Sequence, residues 1–414
     1  MSSSSKQIVD HFFRHEYGRV VSFLTKKFGA DTFDLVEDAV QDALMKAMQV
    51  WPFKGAPDNP SAWVMRVAQN KLIDQFRRTK SFTEKIDRIQ TKDEDYETIN
   101  EPDINNAISD DYLNMMFACC HPKISRESQI ILVLKVLVGF GTSEIAKALL
   151  KSEAAVAKAY TRAKEKFKTL NNRLESPSGT EIETRLGSVL KILYLIYNEG
   201  YNAVAEDKLI RHDLCYEAMR LNKLITDHHA TTNGSSYALL ALMCFQSARF
   251  DSRLKDGRLL TLEEQDRSNW NKELIHQGRY FLECSAATGQ TGPYHLQASI
   301  AACHSFAATF EDTNWSQILD LYDALLMLQD DIIIQLNRVV AYAKVHGSSK
   351  ALVEIENLPF KRLDQNYIYH SIYASLLQQT DDTKNALKHY KKALSLTMNQ
   401  YEKRHLASRI EAIS

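Results

Sequence analysis

Acidic side chains recur every four residues along one stretch of the chain. Asp34, Asp38 and Asp42 have this spacing, and Glu37 and Gln41 lie beside them. Residues four apart share one face of an α-helix, so the spacing predicts a helical face of like charges that repel one another. Such a face is typical either of a solvated helix or of a surface that docks onto a basic partner.

A second stretch combines an aromatic ring, cations and an amide. Its members lie at three- and four-residue steps or next to them: Trp63, Arg66, Asn70, Lys71, Arg77 and Arg78. Cations neutralise phosphates, and aromatic rings stack on unpaired bases. The stretch favours a nucleic-acid strand as ligand, although a surface helix with its tryptophan in the core has the same pattern.

A third group follows a tight turn at residues 150–152. Residues 127–170 predict a helix, a short helix, this turn and a longer helix capped by Ser152. In the last helix Val156, Tyr160, Ala163 and Phe167 face inward. The residues expected to contact DNA are small, polar or basic: Ser152, Ala154, Ala155, Lys158, Thr161 and Arg162. Small residues let a helix enter the major groove, and cations reach phosphates or guanine edges, so we predict a DNA-binding helix-turn-helix.

Helical periodicity positions all three groups. Apolar residues recur at steps of three and four along Asp34–Trp51 and from Ser61, the predicted cap of the next helix, to about Arg78. No convincing alternating strand pattern is present, and the 14 glycines and 8 prolines are few for 414 residues. We therefore predict an all-α fold, with several domains in a chain of this length.

Charge divides the chain. Residues 1–80 carry a net charge of +3, residues 81–112 carry −7 and residues 113–180 carry +6, within a total of −1. The acidic, apolar-poor segment Thr91–Asp103 is typical of a linker. We expect domains at 1–80, 113–175, 183–290 and 291–414, with 81–112 as the linker.

Other chemistry has weaker support. Cys119, Cys120 and His121 are adjacent, but they lack zinc spacing and are expected to be buried, so we predict no metal and no cofactor.

No export signal or membrane span is apparent, which favours the cytoplasm. The polar clusters at 198–201 and 265–268 could be catalytic, but hydrogen-bond networks between helices are the favoured interpretation.

The last third of the chain has a repeat-like spacing. Ala386 and Tyr390 follow Ala351 and Ile355 by 35 residues, and Ile318 lies 33 residues before Ala351. This period is typical of tetratricopeptide-like helix pairs, whose stack offers a concave surface to a peptide or protein. Packing of the repeats within the chain, without an outside ligand, is the alternative.

The motifs resemble the extracytoplasmic-function (ECF) sigma factors. DLVEDAVQDALMKAMQVW (Asp34–Trp51) and NPSAWVMRVAQNKLIDQFRR (Asn59–Arg78) resemble their first domain, region 2. GTSEIAKALLKSEAAVAKAYTRAKEKF (Gly141–Phe167) resembles the helix-turn-helix of region 4. LIYNEGY (Leu195–Tyr201), EEQDRSNW (Glu263–Trp270) and GPYHLQASIAACH (Gly292–His304) resemble the subgroup with a long C-terminal extension that ends in tetratricopeptide-like repeats.

The resemblance implies a bacterial transcription initiation factor rather than an enzyme. The Asp34–Trp51 helix would dock on core RNA polymerase, the next helix would hold the melted −10 strand, and the Ser152–Leu170 helix would read the −35 element. The acidic linker would pass through the active-site and RNA-exit region, and the extension would regulate activity. The alternative is an effector-controlled helix-turn-helix regulator that never binds polymerase.

One departure from the family pattern lies in the recognition helix. The usual Thr-Val-Lys-Ser-Arg run reads Ala155-Val156-Ala157-Lys158-Ala159 here. Because alanine stands where the family has a contacting arginine, we expect Lys158 and Arg162 to carry more of the −35 contact.

Overall fold

The computed structural model of the chain describes residues 3–78, 111–149, 151–170, 180–201, 211–229, 231–255, 258–358, 363–397 and 399–413. It is 79% helical, which confirms the predicted all-α class. The chain divides into two compact units, Met1–Ile196 and Tyr197–Ser414. Among the described residues, no helix has the length and apolar content needed to cross a bilayer.

The described residues of the first unit are mostly helical. The helices are α1 Ser3–Phe28, α2 Phe33–Lys54, α3 Pro60–Arg78, α4 (residues 111–119), α5 Arg126–Leu132, α6 Thr142–Ala148, α7 Glu153–Leu170 and the greater part of α8 Thr180–Tyr201. A 3-10 turn, Ala30–Thr32, precedes α2, and a π-helical turn, Val133–Leu137, continues α5.

Helices α2 and α3 form a pair as their periodicity predicts. Val36, Val40 and Ala47 of α2 are fully buried. The cap of α3 differs from the prediction: Asn59 Oδ1, not Ser61, accepts the hydrogen bond from the Ala62 amide at 3.0 Å. Pro60 is the first residue of α3, where its missing N–H costs nothing, and the cap lies two residues before the predicted one.

The predicted helix-turn-helix is formed by α6 and α7. Ser152 accepts a hydrogen bond from the Ala155 amide at 3.2 Å and caps α7, as predicted. Val156, Ala163 and Phe167 are buried, which confirms the inward face of α7. The opposite face of α7 therefore points to solvent.

The second unit is also helical. Its helices after α8 are α9 His212–Asp227, α10 Gly234–Ser247, α11 Lys272–Ala287, α12 Pro293–Phe306, α13 Trp315–Leu328, α14 Ile332–His346, α15 Ser348–Glu356, α16 Tyr367–Gln379, α17 Thr383–Leu396 and α18 Gln400–Ile413, with 3-10 turns at Phe250–Ser252 and Arg267–Asn269. Two short antiparallel strands, β1 Leu254–Lys255 and β2 Arg258–Leu259, were not predicted, because two residues are too few to show alternation.

The last helices share successive apolar cores. Ile318 lies in the core of α12–α14, and Ala351 and Ile355 lie in the core of α14–α16. Tyr390 lies in the core of α16–α18, and Ala386 is fully buried. The positions that suggested a repeat are thus core positions, while the tetratricopeptide-like assignment itself stays a prediction.

Candidate polymerase and nucleic-acid interface

The acidic side chains of α2 fall into two groups. Asp38, Gln41 and Asp42 are exposed, as a docking face requires. Asp42 forms an ion pair with Lys71 of α3, so two predicted site residues on different helices are in contact. The exposed acidic group of α2 is therefore continuous with the surface of α3.

The second group is covered by α7. Glu37 is only 5% exposed and accepts hydrogen bonds from Tyr17 (2.8 Å), Tyr160 (2.5 Å) and Lys164 (3.2 Å). Burial and the neighbouring Glu37 carboxylate raise the pKa of Tyr17 and of Tyr160 well above the usual value, so both hydroxyls remain donors.

Asp34 is held by the same helix. It forms ion pairs with Lys164 at 2.7 Å and with Lys168. Although partial burial opposes it, hydrogen bonds from both lysines hold the pKa of Asp34 below its ordinary value. The expectation of one exposed, self-repelling stripe is therefore wrong for Asp34 and Glu37. Spacing within α2 carries no information about Tyr160, Lys164 and Lys168, which lie more than 120 residues away.

The predicted stripe on α3 is largely exposed. Arg66, Asn70 and Arg77 point to solvent, and Arg77 lies 3.7 Å from Asp74. Trp63 is half-buried, and its ring meets that of Trp51 edge-on with centroids 5.5 Å apart. Trp63 thus combines the two interpretations, because it is anchored in the fold while part of it reaches solvent. The side chain of Arg78 lies outside the described residues.

The outward face of α7 carries all six predicted −35 residues. Ser152, Ala154, Ala155, Lys158, Thr161 and Arg162 are exposed. The Thr161 hydroxyl donates to the Ala157 carbonyl at 3.0 Å, which fixes its side chain against the helix. Lys158 and Arg162 lie one turn apart with no acidic residue between them on this face, an arrangement suited to phosphates or guanine edges.

The adjacent cysteines lie in the core. Cys119 and Cys120 are buried, as predicted, and burial raises the pKa of Cys120 to about 12. Both are free thiols, and a protonated thiol is a poor metal ligand. Within the described ranges, no three His, Cys, Asp or Glu side chains come together as metal ligands would.

Two arginines of the second unit form hydrogen-bond networks with the predicted polar clusters or within them. The Arg253 guanidinium lies 3.9 Å from the Tyr201 ring centre and donates to the Tyr201 carbonyl at 2.5 Å. Arg267 donates to the carbonyls of His304 (2.8 Å) and Ala307 (3.1 Å) and to the Thr313 hydroxyl (2.9 Å). These arginines join turns to helix ends.

Comparison with known proteins agrees with this arrangement. Sigma-70 region 2 matches residues 12–82, sigma-70 region 4 matches residues 114–167, and a family of unknown function, DUF6596, matches residues 185–286. The chain is 33% identical over 384 residues to an uncharacterized protein of Rhizobium meliloti (strain 1021), which covers 92% of this chain and 90% of that relative. No solved structure matches the chain.

The two sigma-70 matches carry α1–α3 and α4–α7, the elements that present the three predicted surfaces. The match to region 2 does not favour the alternative, a helix-turn-helix regulator that never binds polymerase. Sigma-factor families are not enzymes; they act with core RNA polymerase on promoter DNA. The chain belongs to the ECF-like RNA polymerase sigma factors that carry a C-terminal extension.

Proposed function

We propose that the exposed acidic face of α2 binds core RNA polymerase. Asp38, Gln41 and Asp42 are the members of the acidic group that remain accessible. Carboxylates on a helix surface gain free energy from a basic partner, because docking replaces repulsion along α2 with attraction across the interface. Asp34 and Glu37 would join this interface once they are uncovered.

Helix α3 would hold the melted −10 strand. Arg66 and Arg77 would neutralise phosphates, Asn70 would contact a base edge, and the accessible part of Trp63 would stack on an unpaired base. Lys71, paired with Asp42, would position the α2–α3 surface. Arg78 follows Arg77 at the end of the helix and would extend the cationic run towards the backbone.

Helix α7 would enter the major groove at the −35 element. The observation that carries this role is the division of α7 into a buried apolar face and an exposed face. Ser152, Ala154 and Ala155 at the helix start would allow close approach, and Thr161 would support the contact. Lys158 and Arg162 would carry the recognition, since Ala159 replaces the family's arginine.

The remainder of the chain would control this activity. We divide it as proposed from the sequence, with a helical domain at 183–290 and repeats at 291–414 whose surface receives a protein partner. In this proposal the chain catalyses no reaction and works in the cytoplasm, where core polymerase and promoter DNA are found. The acidic 81–112 segment would cross the polymerase near the RNA-exit path.

The proposal is tested with purified full-length protein and core polymerase. The protein should form a complex with core and support run-off transcription from a cognate promoter, found by selecting genomic fragments with the reconstituted holoenzyme. A protein that retains promoter duplexes but forms no complex with core would contradict the proposed role of α2. Addition of the separate second unit, residues 197–414, should alter the transcript yield if that unit controls activity.

A further inference from the structure

Two arginines of the second unit bring positive charge into the protein without a carboxylate in contact. Arg267 is 6% exposed, and Arg249, just after α10, is half-buried. Within the part of the chain that the structure describes, neither guanidinium forms an ion pair, and that of Arg249 donates to the Tyr201 hydroxyl. A buried charge without a counter-charge is costly. The arrangement is therefore suited to a ligand that carries negative charge.

The two arginines are close enough to act on each other and on a histidine. Burial lowers the pKa of Arg267 below its ordinary value; exposed Glu311 and Asp312 oppose this change, and the charge of Arg249 adds to it. Burial, together with the charges of Arg249 and Arg267, also lowers the pKa of His304 to about 3. The positive charge at this place is thus felt by its neighbours and is not cancelled by the exposed acids.

Arg267 keeps one edge of its guanidinium available. Its Nη1 donates to the carbonyls of His304 and Ala307, and its Nη2 donates to the Thr313 hydroxyl. A guanidinium has more N–H donors than these three bonds use. The Nε–H has no hydrogen-bond partner among the described residues, and one hydrogen of Nη2 is also left over. Nε and Nη2 are neighbours on the guanidinium, so together they form a fork that can bind two oxygens of one anion.

The indole of Trp270 supplies a further donor beside this fork. Trp270 is 3% exposed, and its indole N–H has no acceptor among the described residues. The guanidinium carbon of Arg267 lies 5.3 Å from the centre of the Trp270 ring. The Nδ1 atom of His304 is likewise buried without a described partner. Buried polar groups are nearly always hydrogen-bonded, so these atoms indicate a place built to receive a polar ligand.

A phosphate group matches these donors better than a carboxylate does. A phosphate monoester carries a charge of about −1.5 to −2 at neutral pH, close to the combined charge of the two guanidiniums. A carboxylate would neutralise only one of them. Arginine forks bind two oxygens of a phosphate in a fixed geometry. Because Arg267 and Trp270 lie too deep for the backbone of a nucleic acid, the ligand is a small molecule.

We propose that Arg249, Arg267 and Trp270 bind the phosphate group of a small molecule. Arg267 holds two phosphate oxygens through Nε and Nη2, Trp270 donates its indole hydrogen, and Arg249, nearer the surface, completes the charge compensation. The bound phosphate joins the 3-10 turn Arg267–Asn269 to the ends of α10 and α12. This site gives the second unit a ligand of its own, and it is independent of the polymerase and DNA roles proposed for the first unit.

Calorimetric titration of the full-length protein with inorganic phosphate, at constant ionic strength in a chloride buffer, tests the site. We expect saturable binding, and acetate should bind at least about tenfold more weakly because it carries less charge. Glycerol 3-phosphate, titrated in parallel, distinguishes the sources of the group. Tighter binding than inorganic phosphate identifies an ester as the ligand, and equal affinity identifies the phosphate group alone as the part recognised. Absence of saturable binding of either phosphate, or equal affinity for acetate, would overturn the inference.

Arg249→Gln locates the binding within the chain. Its side chain is half-buried and donates to a single hydroxyl, so the variant should fold as wild type does, as checked by circular dichroism. Loss of a charged donor should raise the Kd for phosphate about tenfold. Arg267→Lys keeps the charge without the planar fork and should also raise it. Lys391→Gln removes one positive charge from the exposed face of α17 and should bind as wild type does. Unchanged affinity in Arg249→Gln, or an equal loss in Lys391→Gln, would refute the site.

The indole hydrogen of Trp270 reports the same event by nuclear magnetic resonance. Its nitrogen–proton correlation, assigned by its loss in Trp270→Phe, should move downfield as phosphate saturates the protein, because a hydrogen bond deshields the proton. The indole signals of Trp51 and Trp63, which belong to the first unit, should stay in place. A Trp270 signal that does not move at saturating phosphate would count against the proposed site.

Discussion

Tyr160 of α7 donates its hydroxyl hydrogen bond to Glu37 of α2 across 123 residues of sequence, at 2.5 Å. The buried carboxylate needs such donors, because an unpaired charge in a protein interior is costly. A residue of the predicted −35 helix thus satisfies a residue of the predicted polymerase-binding helix. This hydrogen bond and the contacts of Lys164 and Lys168 join the two helices, so a change in either predicted surface is expected to affect the other.

Reversal of the exposed charges on α2 should abolish polymerase binding. In the double variant Asp38→Arg with Asp42→Arg, two accessible carboxylates are replaced by cations that repel a basic partner. Both side chains are exposed, so the helical circular-dichroism spectrum should stay unchanged. Binding to immobilised core, measured by interferometry, should fall below detection. Asp58→Arg, an exposed reversal outside α2, is the control; equal affinity of the double variant and this control would exclude the docking role.

Arg162→Ala should weaken binding to −35 duplex DNA. The guanidinium is exposed on the outward face of α7, and loss of a base contact costs about 1–3 kcal/mol. If Arg162 reads a guanine, the variant should also lose discrimination at one position of the element. Fluorescence anisotropy with matched and single-substituted duplexes measures both effects. A uniform, small loss on every duplex would identify Arg162 as a phosphate contact instead.

Asn70→Ala should impair promoter opening rather than duplex binding. Asn70 is exposed on α3, where an amide can hold an unpaired base but has no role on a closed duplex. Permanganate reactivity of −10 thymines in the holoenzyme complex should fall, while retention of the closed duplex stays near that of wild type. Gln69→Ala, on a neighbouring half-buried position, is the control. A parallel loss of duplex retention would contradict the assignment of this step to α3.

Local pattern was sufficient to predict the helices but not the contacts between them. The four-residue steps in α2 and the inward positions of α7 predicted which residues are buried, because periodicity reports on a helix's own faces. The pairing of Asp34 with Lys168 depends on how two domains meet, and no sequence spacing encodes that. Tyr160 gave a partial signal, since a tyrosine facing inward needs an acceptor for its hydroxyl. The cap at Asn59 was missed because Asn59 and Ser61 are both good caps.

Removal of the Arg267 guanidinium should destabilise the second unit. Arg267 is 6% exposed and donates to two carbonyls and one hydroxyl. Substitution of Arg267 removes the donor of all three acceptors at once. Arg267→Met should lower the free energy of unfolding by about 2–4 kcal/mol, measured by urea denaturation. Arg267→Lys should recover only part, because an ammonium cannot span the three acceptors. Lys391→Met, an exposed change on α17, should change stability by less than about 0.5 kcal/mol.

Acid should destabilise the second unit through His304. Burial, together with the nearby Arg249 and Arg267 charges, lowers the pKa of His304 to about 3 from an ordinary 6.5. His304 therefore binds a proton below about pH 6.5 in the unfolded chain but only below about pH 3 in the folded chain. The free energy of unfolding therefore falls as the pH drops through this window. His304→Phe keeps a ring against Trp315, which His304 meets edge-on at 5.3 Å, and cannot titrate.

Urea unfolding at pH 7.5 and pH 5, followed by tryptophan fluorescence, measures this effect. From pH 7.5 to pH 5 wild type should lose about 1–2 kcal/mol more than His304→Phe. Comparison of the two proteins at the same two pH values cancels the titration of the other histidines, since they are common to both. His276→Phe, on the exposed side of α11, should retain the full pH dependence of wild type. An identical loss of unfolding free energy in His304→Phe and wild type would contradict this prediction. It would mean that folded His304 is already protonated at pH 5 despite the charges of Arg249 and Arg267.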